Sequence, residues 1–168
     1  MNLSQWKTEF LSKNSRGDLI GLPLYAYKMS EQEFIDLEKC LQENIATYLK
    51  VWDINEVLSK SSAIPELFVL YAAIWWQREY DGTGMAWDPI FSSIGVDSDT
   101  INSSVRSAMI ESGLRYWKIE LNKDIGNLKF IGNIANQGGL PLKLIAAGHG
   151  ILNTLLKRVL KDESPRLQ

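Results

Sequence analysis

His149 stands between Gly148 and Gly150, on a stripe that runs Leu142, Ile145, His149, Leu152, Leu156 and Val159. It is the only histidine in a chain of 168 residues. Imidazole exchanges a proton near neutral pH, so a lone histidine is the first place to look for a general base. A base needs a hydroxyl, thiol or carboxylate to work with, and nothing in the spacing ties one to His149. A packed imidazole with one satisfied hydrogen bond therefore fits the stripe better. Carboxylates lie close together as Asp97 with Asp99 and as Glu33 with Asp36. These pairs fit helix starts and solvated helix faces, where the helix dipole and water account for them without catalysis. Gly82-Thr83-Gly84 runs on into Met85-Ala86-Trp87, which has neither the third glycine of a dinucleotide loop nor the Gly-Lys-Ser/Thr of a phosphate loop. HExxH and the nucleophile elbow are absent from the sequence. No catalytic residues, no cofactor and no metal site are expected, and the chain reads as not an enzyme.

A second kind of chemistry is recognition of nucleic acid. Asn102, Ser103 and Arg106 sit on one predicted helix, and Arg115, Lys118, Lys123 and Lys129 follow in the next thirty residues or so. Amide, hydroxyl and guanidinium groups read base edges and phosphates, and lysines hold flanking phosphates. Against this stand Asp97, Asp99 and Glu111 in the same region and a formal net charge of −2, so no global positive field draws the chain onto a polyanion. A third kind is protein recognition, for which Tyr25, Tyr27 and Trp87 offer large amphipathic anchors.

The elements that would position these residues are mostly helices. Trp6, Phe10 and Leu11 share a face near the start. In GLPLYAYK, Leu22, Leu24 and Ala26 alternate with Tyr25 and Tyr27, which suggests a short strand or an extended arm. Ser30-Glu31-Gln32-Glu33 is a capping box. Phe34, Leu37, Leu41, Ile45, Tyr48 and Trp52 then recur at helical spacing. The run from Leu67 to Trp76 is apolar throughout, about half of what a bilayer crossing requires, so it predicts a helix at the centre of the core and no membrane partner. Asp88-Pro89 predicts a short helix ending at Gly95. Asp97 to Thr100 predict the caps of a further helix that carries Ile101, Val105, Ala108 and Met109 and ends at Gly113 in the left-handed conformation. RYWKIEL and LKFIGNI alternate apolar and polar residues about NKDIGN, which predicts a β-hairpin over about 115–134. A long closing helix would carry His149.

Composition bounds the rest. With 45% hydrophobic and 23% charged residues, the chain matches an ordinary globular protein, expected as one domain over 1–162 with a flexible tail at 163–168. Cys40 is the only cysteine, which excludes an internal disulfide and a cysteine-based zinc cage. The N-terminus lacks the basic start and apolar block of a signal peptide, so a cytoplasmic location is expected.

The stretches GLPLYAYKMSEQEFIDLE, LFVLYAAIWWQREYDG, MAWDPI and NQGGLPLKLI resemble the N-terminal region of large bacterial proteins of anti-phage defence islands, in particular the large partner protein of Druantia-type systems. That resemblance spans most of the chain and implies a module of a larger assembly with a protein partner. It carries over no catalytic residue. The expected fold is α+β and mainly α, a helical core with one small β-hairpin and a winged-helix-like order of elements over 65–134. The expected function is a non-catalytic recognition or interaction module. A winged-helix domain with a nucleic-acid partner is the alternative, and an enzyme using His149 is the second alternative.

Overall fold

The computed structural model describes residues 1–14, 21–80, 87–123 and 129–140. The closing helix, His149 and the tail lie outside the described residues. Among the described residues seven α-helices are present: α1 (Leu3–Lys13), α2 (Glu31–Tyr48), α3 (Ile54–Lys60), α4 (Ile64–Glu79), α5 (Trp87–Ser93), α6 (Ser103–Tyr116) and α7 (Lys129–Gln137). Two 3-10 turns, Leu24–Ala26 and Ser98–Thr100, join them.

The order follows from local chemistry. Ser30 accepts from the Glu33 amide, and the Glu33 carboxylate accepts from the Ser30 amide, so both otherwise orphan donors at the start of α2 are satisfied. Asn2 and Gln5 do the same for α1. Asp53 caps α3 through the Glu56 amide at 3.0 Å. α4 begins with Pro65 in its first turn, where a missing amide costs nothing.

α4 shows no amphipathic stripe because it has no solvent face over most of its length. Every residue from Ile64 to Trp76 is buried. α6 and α7 pack closely on it, and α1, α2 and the Leu24 turn cover the remainder. The α6 crossing is very close. A Cβ on Gly113 would fall well inside contact distance of the Pro65 carbonyl oxygen and 2.7 Å from Val69 Cγ1. Gly113 is therefore a crossing residue within α6, and the expectation that it ends the helix is corrected.

Three helices end in one and the same way. In each, the amide of the second residue past the cap returns to a carbonyl in the last turn, and the residue between them takes positive φ. After α5 the bonds are Gly95 N–H to Ser92 O at 3.0 Å and Val96 N–H to Phe91 O at 2.9 Å, with Gly95 at φ 78. After α7 they are Gly139 N–H to Asn136 O at 2.9 Å and Leu140 N–H to Ala135 O at 3.1 Å, with Gly139 at φ 108. After α6 they are Lys118 N–H to Arg115 O and Ile119 N–H to Leu114 O, both at 3.0 Å, and the left-handed residue is Lys118 at φ 57.

The β-hairpin expected over 115–134 is not formed. Arg115 and Tyr116 complete α6, Trp117 and Lys118 turn the chain, and residues 129–134 belong to α7. The hairpin turn at 124–128 lies outside the described residues. LKFIGNI misleads because Phe130 and Ile134 fit period two, whereas Phe130, Ile131, Ile134 and Ala135 fit a helical face equally well over so short a window. Asn133 does what a partner strand would have done. Its side chain accepts from the Asn122 amide at 2.9 Å and donates to the Asn122 carbonyl at 2.9 Å. The expected α+β class is thus corrected to an all-helical one among the described residues, and the winged-helix-like order over 65–134 loses its wing. The segment 22–27 is likewise no strand: Leu24 and Tyr27, three apart, turn inward from a 3-10 turn. No single helix among the described residues is long and apolar enough to cross a membrane.

Candidate interaction surface

The residues expected to read nucleic acid do not converge. Asn102 and Ser103 open α6, with the Asn102 amide held by Asn55 Oδ1 at 2.8 Å. Arg106 sits over Trp87, with its guanidinium carbon 5.0 Å from the ring centroid. Arg115 follows Arg106 by nine residues, which is about 14 Å along a helix and half a turn around it, so the two cations leave α6 on opposite sides. Lys129 pairs with Glu111 at 4.0 Å. Lys123 is exposed on the irregular segment beyond α6.

Of the three aromatic anchors, only Tyr25 is exposed, at 49%. Tyr27 is buried in ring contacts with Phe10 at 6.0 Å and Trp117 at 5.2 Å. Trp87 is buried against Phe91. Both are core residues, because aromatic side chains stabilise most when fully covered.

The densest polar cluster is a brace inside the core. Tyr71 has no exposed surface. Its hydroxyl donates to Glu38 Oε2 at 2.6 Å and meets Ser93 Oγ at 2.6 Å, and Ser93 Oγ also donates to the Ile90 carbonyl. Burial first, then the bond to Glu38, pushes the Tyr71 phenol well above the usual tyrosine range. The cluster ties α2, α4 and α5 together, with Tyr71 fully buried and Glu38 and Ser93 half-buried. A second polar contact locks α1 to α4, where Lys7 Nζ reaches Glu66 Oε1 at 2.6 Å. Burial pulls the Lys7 ammonium down, but the hydrogen bond and charge of Glu66 outweigh it and leave its pKa raised.

Open depressions among the described residues include the following two. One of about 460 Å³ between α5 and the following turn is lined by Asp88, Asp97 and Asp99. The other, about 350 Å³, lies where α1, α2 and the start of α4 meet and includes Asn44, the stacked Tyr48 and Trp52 rings, and Lys60. Among the described residues, no group of three or more histidine, cysteine or acidic side chains is placed to hold a metal ion.

What the fold does bring together is a seam at the C-terminal end of α6. The Gly21 amide donates to the Trp117 carbonyl at 3.2 Å, and the Tyr27 and Trp117 rings meet edge to face. This pins the segment 22–28 beside the α6 terminus. Because Leu24 and Tyr27 point inward, Leu22, Tyr25 and Lys28 form the outward edge of that segment. Across the seam stand Arg115, Tyr116 and Lys118, all exposed. Leu22 is 42% exposed and Tyr116 41%. Leu22, Lys28 and Tyr116 were not singled out by the sequence. Their signal is the spacing of three at 22, 25 and 28, out of phase with 24 and 27.

Among the described residues these features define an all-helical architecture wrapped on one buried helix. Residues 1–140 match the model of the YjiT N-terminal domain, and the chain belongs to that family. It is 22% identical over 160 residues to Protein YjiT of Escherichia coli strain K12, an alignment covering 94% of this chain and 29% of that protein. The chain thus spans less than a third of that relative's length. No solved structure matches it.

Proposed function

We propose that this chain is a non-catalytic recognition module that docks a protein partner within a larger bacterial assembly. The observation that carries the reading is the seam, where Leu22, Tyr25 and Tyr116 are exposed together while the other large aromatic residues of α4 to α6 are covered. Exposed apolar groups gathered at one place mark interaction sites more often than single ones do. The length of the E. coli relative supports the reading, since a domain that matches its YjiT N-terminal portion works beside other polypeptide. The complete burial of Tyr71, the hydroxyl at the centre of that cluster, supports the non-catalytic part. The finer reading, that the assembly is of the anti-phage defence type, rests on the sequence resemblance in residues 21–38, 67–82, 85–90 and 136–145.

The test is reconstitution. Crosslinking of the tagged chain in its native cells would identify a neighbour, and the two purified proteins would be mixed and run on gel filtration. A stoichiometric complex is the expected result; a chain that elutes alone at every concentration refutes the module reading. Efficiency of phage plating on cells carrying the intact locus, with and without Tyr25→Asp, tests the defence reading, which fails if the two strains plate alike.

A further inference from the structure

We propose that the seam between the 22–28 edge and the end of α6 binds an acidic protein segment that carries apolar or aromatic anchor residues. This rests on the module reading and adds the chemistry of the partner.

Charge complementarity is the first ground. The chain as a whole is slightly acidic, with 18 basic and 20 acidic residues. The seam nonetheless presents Lys28, Arg115 and Lys118, none of which forms an ion pair among the described residues. One acid, Glu120, follows Lys118 by two positions, so the cations dominate locally. Other cations differ in their engagement: Lys7, whose Nζ also lies 5.1 Å from the Tyr116 ring centroid, pairs with Glu66, Lys60 with Glu56 and Lys129 with Glu111. The exposed Lys50 and Lys123, away from exposed tyrosines, form no ion pair among the described residues. Unpaired cations around exposed tyrosines suit a segment whose acids meet the rim and whose apolar side chains meet Leu22, Tyr25 and Tyr116.

The second ground is backbone strain. α5, α6 and α7 end in the same hydrogen-bond pattern, and α5 and α7 place glycine at the left-handed position. α6 places Lys118 there, at φ 57. An L side chain in that conformation costs about 1–2 kcal/mol relative to its ordinary state. Glycine would fit the turn with less strain, so the amine is held at this point against local preference, which is the mark of a site rather than of a fold requirement.

A nucleic acid is the less suited occupant. Its phosphates recur along the strand and call for a continuous basic track, whereas Arg106 leaves α6 on the far side and Lys129 is already paired.

The experiment uses the full chain and fluorescence anisotropy. The probe is a labelled peptide of about 12 residues, rich in Glu and Asp, with one Trp and one Leu as anchors. Comparators are the same peptide with both anchors changed to Ser, the same anchors among lysines, and a labelled oligothymidylate. The acidic anchored peptide should bind, more weakly as salt rises from about 50 to about 300 mM. Tyr25→Asp, and Arg115→Glu with Lys118→Glu, should each weaken it about tenfold or more. Lys39→Glu, on the exposed face of α2, should leave it unchanged. Lys118→Gly separates recognition from structure, because it should weaken binding while raising thermal stability. The proposal is overturned if no peptide binds, if the Ser-substituted peptide binds equally well, or if oligothymidylate binds with the same sensitivity to the variants. A reconstituted complex that forms while these peptides fail would sink the assigned chemistry and leave the module reading standing; loss of both would remove the two together.

Discussion

Lys118→Gly is the most informative single change, because it separates what the α6 terminus requires from what is placed there. The turn needs one residue at positive φ so that the amides of Lys118 and Ile119 can reach Arg115 O and Leu114 O. Lysine there sacrifices about 1–2 kcal/mol. Glycine removes that strain but brings a more flexible unfolded chain, which takes back about 0.5–1 kcal/mol. The balance is a gain of about 0.5–1 kcal/mol, since Lys118 is exposed and its amine has no ion pair to lose among the described residues. For a chain of this size that corresponds to a rise in Tm of about 1–4 °C by differential scanning calorimetry. Lys118→Ala is the control, for it removes the amine and keeps the Cβ, and it should leave Tm within about 1 °C of the parent. A Lys118→Gly protein with Tm unchanged or lowered would refute the strain argument, and an equal rise in Lys118→Ala would mean that the amine, not the backbone, was the source.

Other changes probe the packing around α4. Gly113→Ala gains about 1 kcal/mol of helix propensity and loses about 3 kcal/mol to a clash with the Pro65 carbonyl and Val69, so urea melts should show a net loss of about 2 kcal/mol, which Val69→Ala relieves only in part because Pro65 is backbone. Tyr71→Phe strips Glu38 and Ser93 of their shared hydroxyl and should cost about 1–2 kcal/mol by the same assay. Asn133→Leu leaves both Asn122 backbone groups without their partner and should lower Tm by several degrees, with no gain of strand signal in circular dichroism. Lys7, Tyr27 and Tyr71 all have raised pKa values in the folded state; their contributions are complete below the ordinary Lys and Tyr values near 10.5 and 10.0 and fade as pH climbs past them. A pH-jump melt series should therefore show Tm flat at neutral pH and falling on the alkaline side, with Tyr71 ionising only as the chain unfolds.

The sequence was most legible where one segment carries its own instructions. Ser30 and Glu33 announce α2, and Phe34, Leu37, Leu41 and Ile45 name its buried face. The all-apolar run from Leu67 announces a helix that neighbours must surround, as they do. α3 is too short for a periodic stripe and went unforeseen. Legibility failed where the answer depended on another segment. Gly113 reads as a stop until Pro65 and Val69 are seen pressing on it. Tyr27 and Trp87 resemble exposed anchors until Trp117 and Phe91 cover them. LKFIGNI reads as a strand because seven residues cannot separate period two from period 3.6, and because nothing in the sequence links Asn133 to Asn122. Of the candidate residues, Tyr25, Arg115 and Lys118 belong to one seam, yet the sequence had placed them in two different hypotheses.

That reassignment says where function can reside in this domain. α4 spends its surface on packing, with every side chain from Ile64 to Trp76 buried, and two of its polar side chains are committed: Glu66 to Lys7, and Tyr71 to Glu38 and Ser93. A change there alters stability before it alters recognition. The helix ends are different, because a terminus needs only its hydrogen-bond pattern and is indifferent to the side chain that points outward. α5 and α7 meet that need with Gly95 and Gly139, and neither presents anything to a partner. α6 meets it with a lysine, one residue past a buried tryptophan and two past an exposed tyrosine. Where local preference and observed residue agree, the residue reports on the fold; at Lys118 they disagree, and the excess is carried by a terminus set beside Leu22, Tyr25 and Lys28.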